Sequence, residues 1–482
     1  MHAAVHPQPT ASGVDWDSWG YDLQRTGYNP NETTVGTTNV ASLQQIWSAN
    51  VGRSPVAEPV LASGVMIDRV PTNVLYAGSN YGEAMYAINA DTGAVIWKHT
   101  VAYASYMCGA RLEQWSVGAT PAIDRGKNLI YFGDGVDHVH ALDLSTGKSV
   151  YEWPITISIR PQHDNMHGGL TYNPANGILY AVTSSICDYK PWNGRIVAID
   201  TATRGIIGTF FPVSGTSTPG GSGGGIWGGG GGSIDPQTND VLVATGNASV
   251  GSGVLQNAGY AENIVALSSD VNTVLAANYP QNIPSDPGHT DYDFGSTPII
   301  FQPPGCPEMT AVLNKSGMFE LYDVATIGQG PVQYLQMSIS TDTGDFQGSP
   351  AYDPVTNLLY IELPATYGTY QPGLGAFGIQ ADCTINPTPV WSAAFGPDGA
   401  VTGAETARSA ITVVNGVVYV GNSSGRQIFA YDAAAGTQLW STTTSGWSKH
   451  GTVVANGIVY ITDSGGNITA WAPSGIPGLR RR

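Results

Sequence analysis

At 482 residues the chain exceeds the usual size of one domain, but repeat architectures escape that limit because each unit adds core against its neighbours. Charged residues make up 11% and apolar residues 42%, with 62 Gly, 31 Pro and 24 Tyr, a composition suited to many short strands and tight turns rather than long amphipathic or membrane-spanning helices. A formal charge of −17 leaves no basic footprint for phosphates, which excludes nucleic acid as a partner, though the field suits a cationic partner such as a basic electron carrier.

In chain order, Met1 to Gly13 lacks the basic start and apolar core of a signal peptide, as expected of a chain from which a leader has been removed. Residues 1–42 read as an N-terminal arm. LQQIWSANVG (Leu43 to Gly52) then has the pattern of an outer strand without a blade of its own. From there one unit recurs: an apolar strand ending in Tyr-Val-Gly or similar, a polar turn, a strand reading Ala-x-Asp, a Thr-Gly turn, and a strand closing on an aromatic. It appears at Asn73 to Trp97, Asn128 to Trp153, Gly177 to Gly205 and Gly416 to Trp440, with degenerate copies between. The last copy, Gly457 to Gly475, stops before its outer strand, and 476–482 reads as a tail.

Each unit is a short antiparallel meander that cannot bury both of its faces alone, so radial stacking is the natural solution. The expected fold is all-β: an eight-bladed β-propeller of four-stranded antiparallel blades, spanning 43–475. Pairing of Leu43 to Gly52 with the C-terminal blade would remove an exposed edge and close the ring. The Thr-Gly turns supply the φ > 0 position that glycine adopts cheaply, and Trp97 and Trp440 are expected to pack between sheets.

The four cysteines are Cys108, Cys187, Cys306 and Cys383, and none forms CxxC or CxxCH, which excludes a local zinc ribbon or a covalent haem. Low Lys content and Gly/Ser/Thr-rich loops suit a periplasmic or secreted protein, where disulfides persist. Two bridges are expected, Cys108–Cys187 and Cys306–Cys383, with free buried thiols as the alternative.

Three segments carry chemistry. In GGGIWGGGGGSIDPQTNDVLVATGNAS (Gly223 to Ser249), glycines on both sides of Trp227 leave one indole face open to a planar molecule, and the run feeds directly into a strand, unlike a linker. In HTDYDFGSTPII, Asp291 and Asp293 are two residues apart at the head of a strand and so share a face; two like charges there call for a cation or a proton. In VLNKSGMFELYD, Lys315 stands between two apolar runs in a chain with only 19 basic residues.

The unit Ala-x-Asp-x-x-Thr-Gly-x-x-x-Trp, matched by Ala87 to Trp97 with Asn89 in the Asp place, resembles the tryptophan-docking motif of quinoprotein dehydrogenases. The opening DWDSWGYDLQRTGYNPNETTVGTTNVASLQQIW (Asp15 to Trp47) resembles the same superfamily, most closely its polyvinyl-alcohol-dehydrogenase-type members, and the similarity covers essentially the whole chain. The resemblance implies pyrroloquinoline quinone with Ca²⁺ or a lanthanide on the propeller axis, and oxidation of an alcohol. It implies Trp227 as the floor under the quinone, Asn247 as a ligand of metal and cofactor, Asp291 as catalytic base and metal neighbour, and Asp293 as an added metal ligand. Lys315 would contact the quinone carbonyls, and Arg111, after MCGA, would pair with the cofactor. The adjacent Cys-Cys pair of many alcohol dehydrogenases is absent, with Cys108-Gly109 near its place. The metal-binding Glu after the third-blade strand is absent too, Asp188 being the nearest carboxylate. His163, His167, Gln347 and Trp447 lie at blade starts and read as structural.

These assignments imply that Asp291 removes the hydroxyl proton while hydride passes to the quinone, and that a metal ion polarises the quinone carbonyl. With no haem motif, electrons would leave to a separate cytochrome or similar acceptor. The rival reading is a non-catalytic quinoprotein-like propeller serving as a scaffold or binding module, favoured by the missing Glu and Cys pair. A more distant rival is a propeller enzyme of another kind, such as a polysaccharide lyase using His163 and His167.

Overall fold

The computed structural model describes residues 13–52, 57–108, 110–186, 191–213, 221–250, 253–255, 258–280, 292–338, 348–395, 409–423, 425–448 and 450–475. Eight antiparallel sheets make an eight-bladed propeller with almost no helix. Blade 1 runs from Val60–Ile67 to Val95–Thr100, blade 2 from Ala122–Asp124 to Ile155–Thr156, blade 3 from Thr171–Asn173 to Gly205–Phe210, and blade 4 from Ser233–Ile234 to Val274–Asn278. Blades 5, 6 and 7 begin at Ile299–Phe301, Ala351–Asp353 and Thr412–Val414. Blade 8 has three strands from the C-terminal end, Val453–Ala455, Ile458–Thr462 and Asn467–Pro473, and takes its fourth, Leu43–Asn50, from the N-terminal side.

The closing strand pairs antiparallel from Leu43↔Pro473 to Asn50↔Asn467, with an irregularity between Gln45 and Trp47. It also brings the side chain that docks blade 8 on blade 1. The Trp47 indole covers Gly93 of blade 1's Thr-Gly turn, where a Cβ would lie 2.8 Å from the ring, and its Nε1 donates to Ala90 O at 2.9 Å. The same arrangement recurs twice. Trp97 covers Gly147 and donates to Leu144 O, and Trp391 covers Gly436 and donates to Ala433 O. These three turn glycines have φ of +74°, +66° and +69°, so each is required both by backbone conformation and by the ring lying on it. Trp440 packs instead edge-on to Trp471, because blade 8 has no Thr-Gly turn to receive it.

The blades bury their faces in successive inter-sheet layers rather than in one central core. The hub is filled differently. Residues 16–29 are laid across the inner strands, with backbone bonds from Trp16 to Leu61, Asp17 to Ile123, Leu23 to Ile234, Gln24 to Ile300, Thr26 to Tyr352 and Gly27 to Val413. Tyr28–Asn29 adds a parallel strand to blade 7, and the Asn29 amide donates to Val454 O in blade 8. Arg25 is fully buried there; its guanidinium donates to the Trp19, Asp22 and Gly232 carbonyls and to Thr171 Oγ1. The segment read as an arm therefore knits blades 1, 2, 3, 4, 5, 6, 7 and 8 together from the inside.

The Cys306–Cys383 bridge is present, with the Cα atoms 5.6 Å apart, and ties the blade 5 and blade 6 regions together. Cys108 is also disulfide-bonded. Cys187 lies outside the described residues.

Candidate active site

In each blade the segment entering the innermost strand and the loop after the second strand come together near the hub, and the candidate residues occupy these positions in neighbouring blades. Trp227 enters blade 4 and Asp293 enters blade 5; Asn247 follows the second strand of blade 4, Val241–Ala244, and Lys315 follows that of blade 5, Met309–Leu313. The glycine run around Trp227 is fixed by backbone bonds on both sides. Ile226 N–H donates to Thr183 O of blade 3, Gly246 N–H to Gly225 O at 2.7 Å, and Gly224 N–H to Asn247 O at 2.7 Å. A Gly-rich stretch that would otherwise be mobile becomes a wall between two blades.

Asp293 is the centre of the cluster. Its Oδ2 accepts from Lys315 Nζ at 2.8 Å and its Oδ1 from the Asn247 backbone N–H at 2.6 Å, while its carbonyl accepts from Lys315 N–H. The Lys315 and Asp293 side chains are only 11% and 5% exposed, so this pair is held in a low-dielectric setting where a lone charge would be costly. A Cβ on Gly246 would run into Asp293 Oδ1 and would lie 2.7 Å from Trp227 Nε1. Only glycine lets the carboxylate and the indole edge come this close. Trp227, Asn247, Asp293 and Lys315 are thus brought together.

Asp291 and Asp188 lie outside the described residues, as does Gln347. Arg111 makes its ion pair outside the cluster, with Glu113. It sits on the hairpin of Ala104–Cys108 and Arg111–Trp115, its side chain 78% exposed and paired with Glu113 at 2.6 Å. The guanidinium is held at the surface by Glu113, two residues along the same strand.

The structure adds residues that the sequence reading passed over or read as structural. His167 Nδ1 lies 3.0 Å from Trp227 O, and its ring is stacked on Trp115 (5.8 Å, 21°) and edge-on to Trp227 (6.0 Å, 66°). Trp192 stands edge-on to Trp227 at 6.2 Å, and Trp447 packs with Trp115, Tyr106 and Cys108. Ser184 follows the second strand of blade 3, Ile178–Thr183, beside Gly225; its buried Oγ has no hydrogen-bond partner among the described residues. It occupies the neighbourhood where the sequence lacks the expected Glu. An alternation of small and aromatic residues gives no local signal for such convergence, since the partners come from separate blades.

The residues present fit a planar, anionic, carbonyl-bearing cofactor with a hard cation. They supply a half-buried indole beside a wall without Cβ atoms, one buried ammonium, and oxygen donors in Asp293, Asn247 and Ser184.

Comparison with known proteins decides the family. Residues 16–318 match the family described as "Glucose/ethanol/alcohol dehydrogenase, beta-propeller domain", the PQQ family. The chain belongs to that family. Residues 386–474 also match a model described as "Outer membrane protein assembly factor BamB". Among curated proteins, this member is 26% identical to a polyvinylalcohol dehydrogenase of Pseudomonas sp., over 92% of this chain and 69% of the relative. It is 25% identical to a polyvinylalcohol dehydrogenase of Sphingopyxis sp., over 95% of this chain and 74% of the relative. Among solved structures it shares the fold of a europium-containing methanol dehydrogenase (TM-score 0.69, 15% identity, 95% of this chain and 98% of that one). The fold is also that of the quinohemoprotein alcohol dehydrogenase from Comamonas testosteroni (TM-score 0.68, 17% identity, 96% of this chain and 81% of that one). The family assignment makes this a PQQ-dependent dehydrogenase propeller, with its Trp227–Asp293–Lys315 cluster at the hub.

Proposed function

We propose that the protein is a periplasmic or secreted quinoprotein that oxidises an alcohol, a polymeric or secondary alcohol being the substrate class suggested by its relatives' names. The observation that carries this reading is the buried Lys315–Asp293 pair meeting Asn247 and the Trp227 edge at one point between blades 4 and 5.

Pyrroloquinoline quinone, when bound, would supply the two-electron acceptor for the alcohol. Trp227 would lie under its ring plane, held at its height by the Ile226 and Gly246 backbone bonds and braced by His167 and Trp192. Lys315 would supply positive charge to stabilise the reduced cofactor, its ammonium oriented by Asp293. Asp293 and Asn247, with Ser184 as a neutral donor and Asp188 as a further carboxylate, would hold Ca²⁺ or a lanthanide. The bonds that Asp293 accepts from the Asn247 N–H and from Lys315 fix its carboxylate toward this point, and carboxylate oxygens suit both ions. Asp291 would accept the hydroxyl proton of the substrate as general base. A separate cytochrome or similar protein would take the electrons, a partner that the −17 charge would attract if basic.

The test is reconstitution with pyrroloquinoline quinone and Ca²⁺ or La³⁺, followed by dye reduction with an alcohol. Dye reduction in the wild type that disappears in Asp291→Ala supports the enzyme. Absence of quinone binding by absorbance titration would overturn it. That outcome favours the second reading, a non-catalytic scaffold, which draws on the BamB-type match over 386–474 and on a serine, not a glutamate, after Thr183.

A further inference from the structure

A second cluster of metal-binding chemistry stands in blade 2, on strands that contribute nothing to the Trp227 cluster. Asp134 follows the strand Leu129–Gly133, and His138 and His140 begin the next, His138–Asp143, so the two imidazoles share one face of that strand. Asp134 is 1% exposed, and its two oxygens have separate tasks. Oδ1 accepts from the Val136 and His138 backbone N–H groups, both at 2.9 Å, which fixes the carboxylate in the turn. Oδ2 is left facing both rings, 2.9 Å from His140 Nε2 and 3.4 Å from His138 Nδ1.

We propose that Asp134, His138 and His140 bind a divalent d-block cation, Zn²⁺ or its neighbours Ni²⁺ and Cu²⁺, at a site in blade 2 distinct from the Trp227 cluster between blades 4 and 5. All three ligand atoms lie within 4.8 Å of one another. Ligands of a tetrahedral Zn²⁺ at 2.0–2.1 Å stand about 3.4 Å apart; the two carboxylate–imidazole spacings, 3.4 and 2.9 Å, are already near that value, and the third has to close by no more than about 1.4 Å. The carboxylate is already turned to present one oxygen, and a buried strut holds it there. The His140 ring is braced by stacking on Phe132 (5.0 Å, 11°), which sets its orientation before any ion arrives. His138 is 35% exposed, so an ion can enter from solvent, and water can complete the coordination. Two imidazoles and one carboxylate select a borderline ion over Ca²⁺ or a lanthanide, which require an all-oxygen shell. The two metal sites of one chain would thus differ in kind as well as in place.

The experiment uses the full chain loaded with pyrroloquinoline quinone and saturating Ca²⁺, titrated with Zn²⁺ by calorimetry and with Co²⁺ by visible absorbance. The wild type is expected to take up one further equivalent, with a cobalt spectrum of mixed imidazole and carboxylate ligation. His140→Gln and the more exposed His138→Gln are each expected to weaken binding by about tenfold or more, since even outer-shell changes cost that much, and to leave dye reduction unchanged. Excess Ca²⁺ or La³⁺ should not displace the ion. No additional equivalent up to millimolar Zn²⁺, an equivalent undiminished in both His variants, or displacement by Ca²⁺ would each overturn the proposal.

Discussion

At the scale of single residues, the site is governed by one ion pair. Lys315 and Asp293 neutralise each other where neither could stay charged alone at low cost, so removing one partner leaves the other exposed to the full penalty of burial. Lys315→Met is expected to cost about 3 kcal/mol in unfolding free energy, measured by urea titration without cofactor. Asp293→Asn/Lys315→Met together should cost less than the sum of the two single changes, because the double variant buries no unpaired charge. Additive losses would show that the pair is not energetically coupled. Trp227→Ala should abolish the quenching of tryptophan fluorescence by added quinone while leaving the blade 4 strands folded. Equal quenching in that variant would remove Trp227 from the cofactor face. Arg111, exposed and paired with Glu113, is a contrasting case: Arg111→Ala should change quinone affinity little, and a loss comparable to that of Lys315→Met would mean the hairpin closes over the site.

At the scale of elements, the ring depends on tryptophans docked on turn glycines, and the N-terminal strand provides one of them. Trp47→Ala should lower stability by about 3–5 kcal/mol, the usual range for loss of a buried aromatic, and Gly147→Ala should destabilise through both its +66° φ and the Trp97 ring lying 2.6 Å from the new Cβ. A thermal melt of each variant checks this, and a Gly147→Ala melt matching the wild type would show that the docking contact is slack. This level was the most legible in the sequence, because Thr-Gly turns and closing aromatics recur at blade spacing and a missing outer strand at one end points to a donor at the other. Trp227 and Lys315 were legible for a different reason, each interrupting its local pattern as an indole among glycines or a charge between apolar runs, and Asp293 was legible because Asp291 stands two residues before it at the head of a strand. His167, Trp115 and Ser184 were not, since an ordinary residue at a strand end becomes part of a site only when a neighbouring blade brings its partner. Arg25 was missed for the same reason. Its carbonyl and hydroxyl partners lie as far away in sequence as Gly232 and Thr171, and no local pattern marks a guanidinium that spans blades.

At the scale of the whole molecule, the hub is closed by residues 16–29 and lined with acids that have lost their water. Burial raises Asp17 to about 8, helped by the nearby Asp15 charge, and burial raises Glu58 to about 7 despite the N–H groups of Gly20 and Trp16 that it accepts. Burial raises Glu320, in blade 5, to about 8, although Tyr322 donates to it. These carboxyls hold protons in the folded chain that they would release on unfolding at neutral pH. Between their ordinary values of 3.8–4.5 and about 7–8 the native state binds more protons than the unfolded state, so stability falls as pH rises through that window. The urea midpoint should therefore be higher at pH 5 than at pH 8. Glu58→Gln keeps an oxygen for Trp16 Nε1 and Gly20 N–H while removing the titrating group, so it should flatten the slope without lowering the midpoint at pH 5. Glu320→Gln should flatten it further and independently, the two sites belonging to different parts of the ring. A wild-type midpoint that rises from pH 5 to pH 8 would mean these carboxylates are ionised in the folded hub, and that Arg25, itself lowered to about 10 by burial, carries the balancing charge.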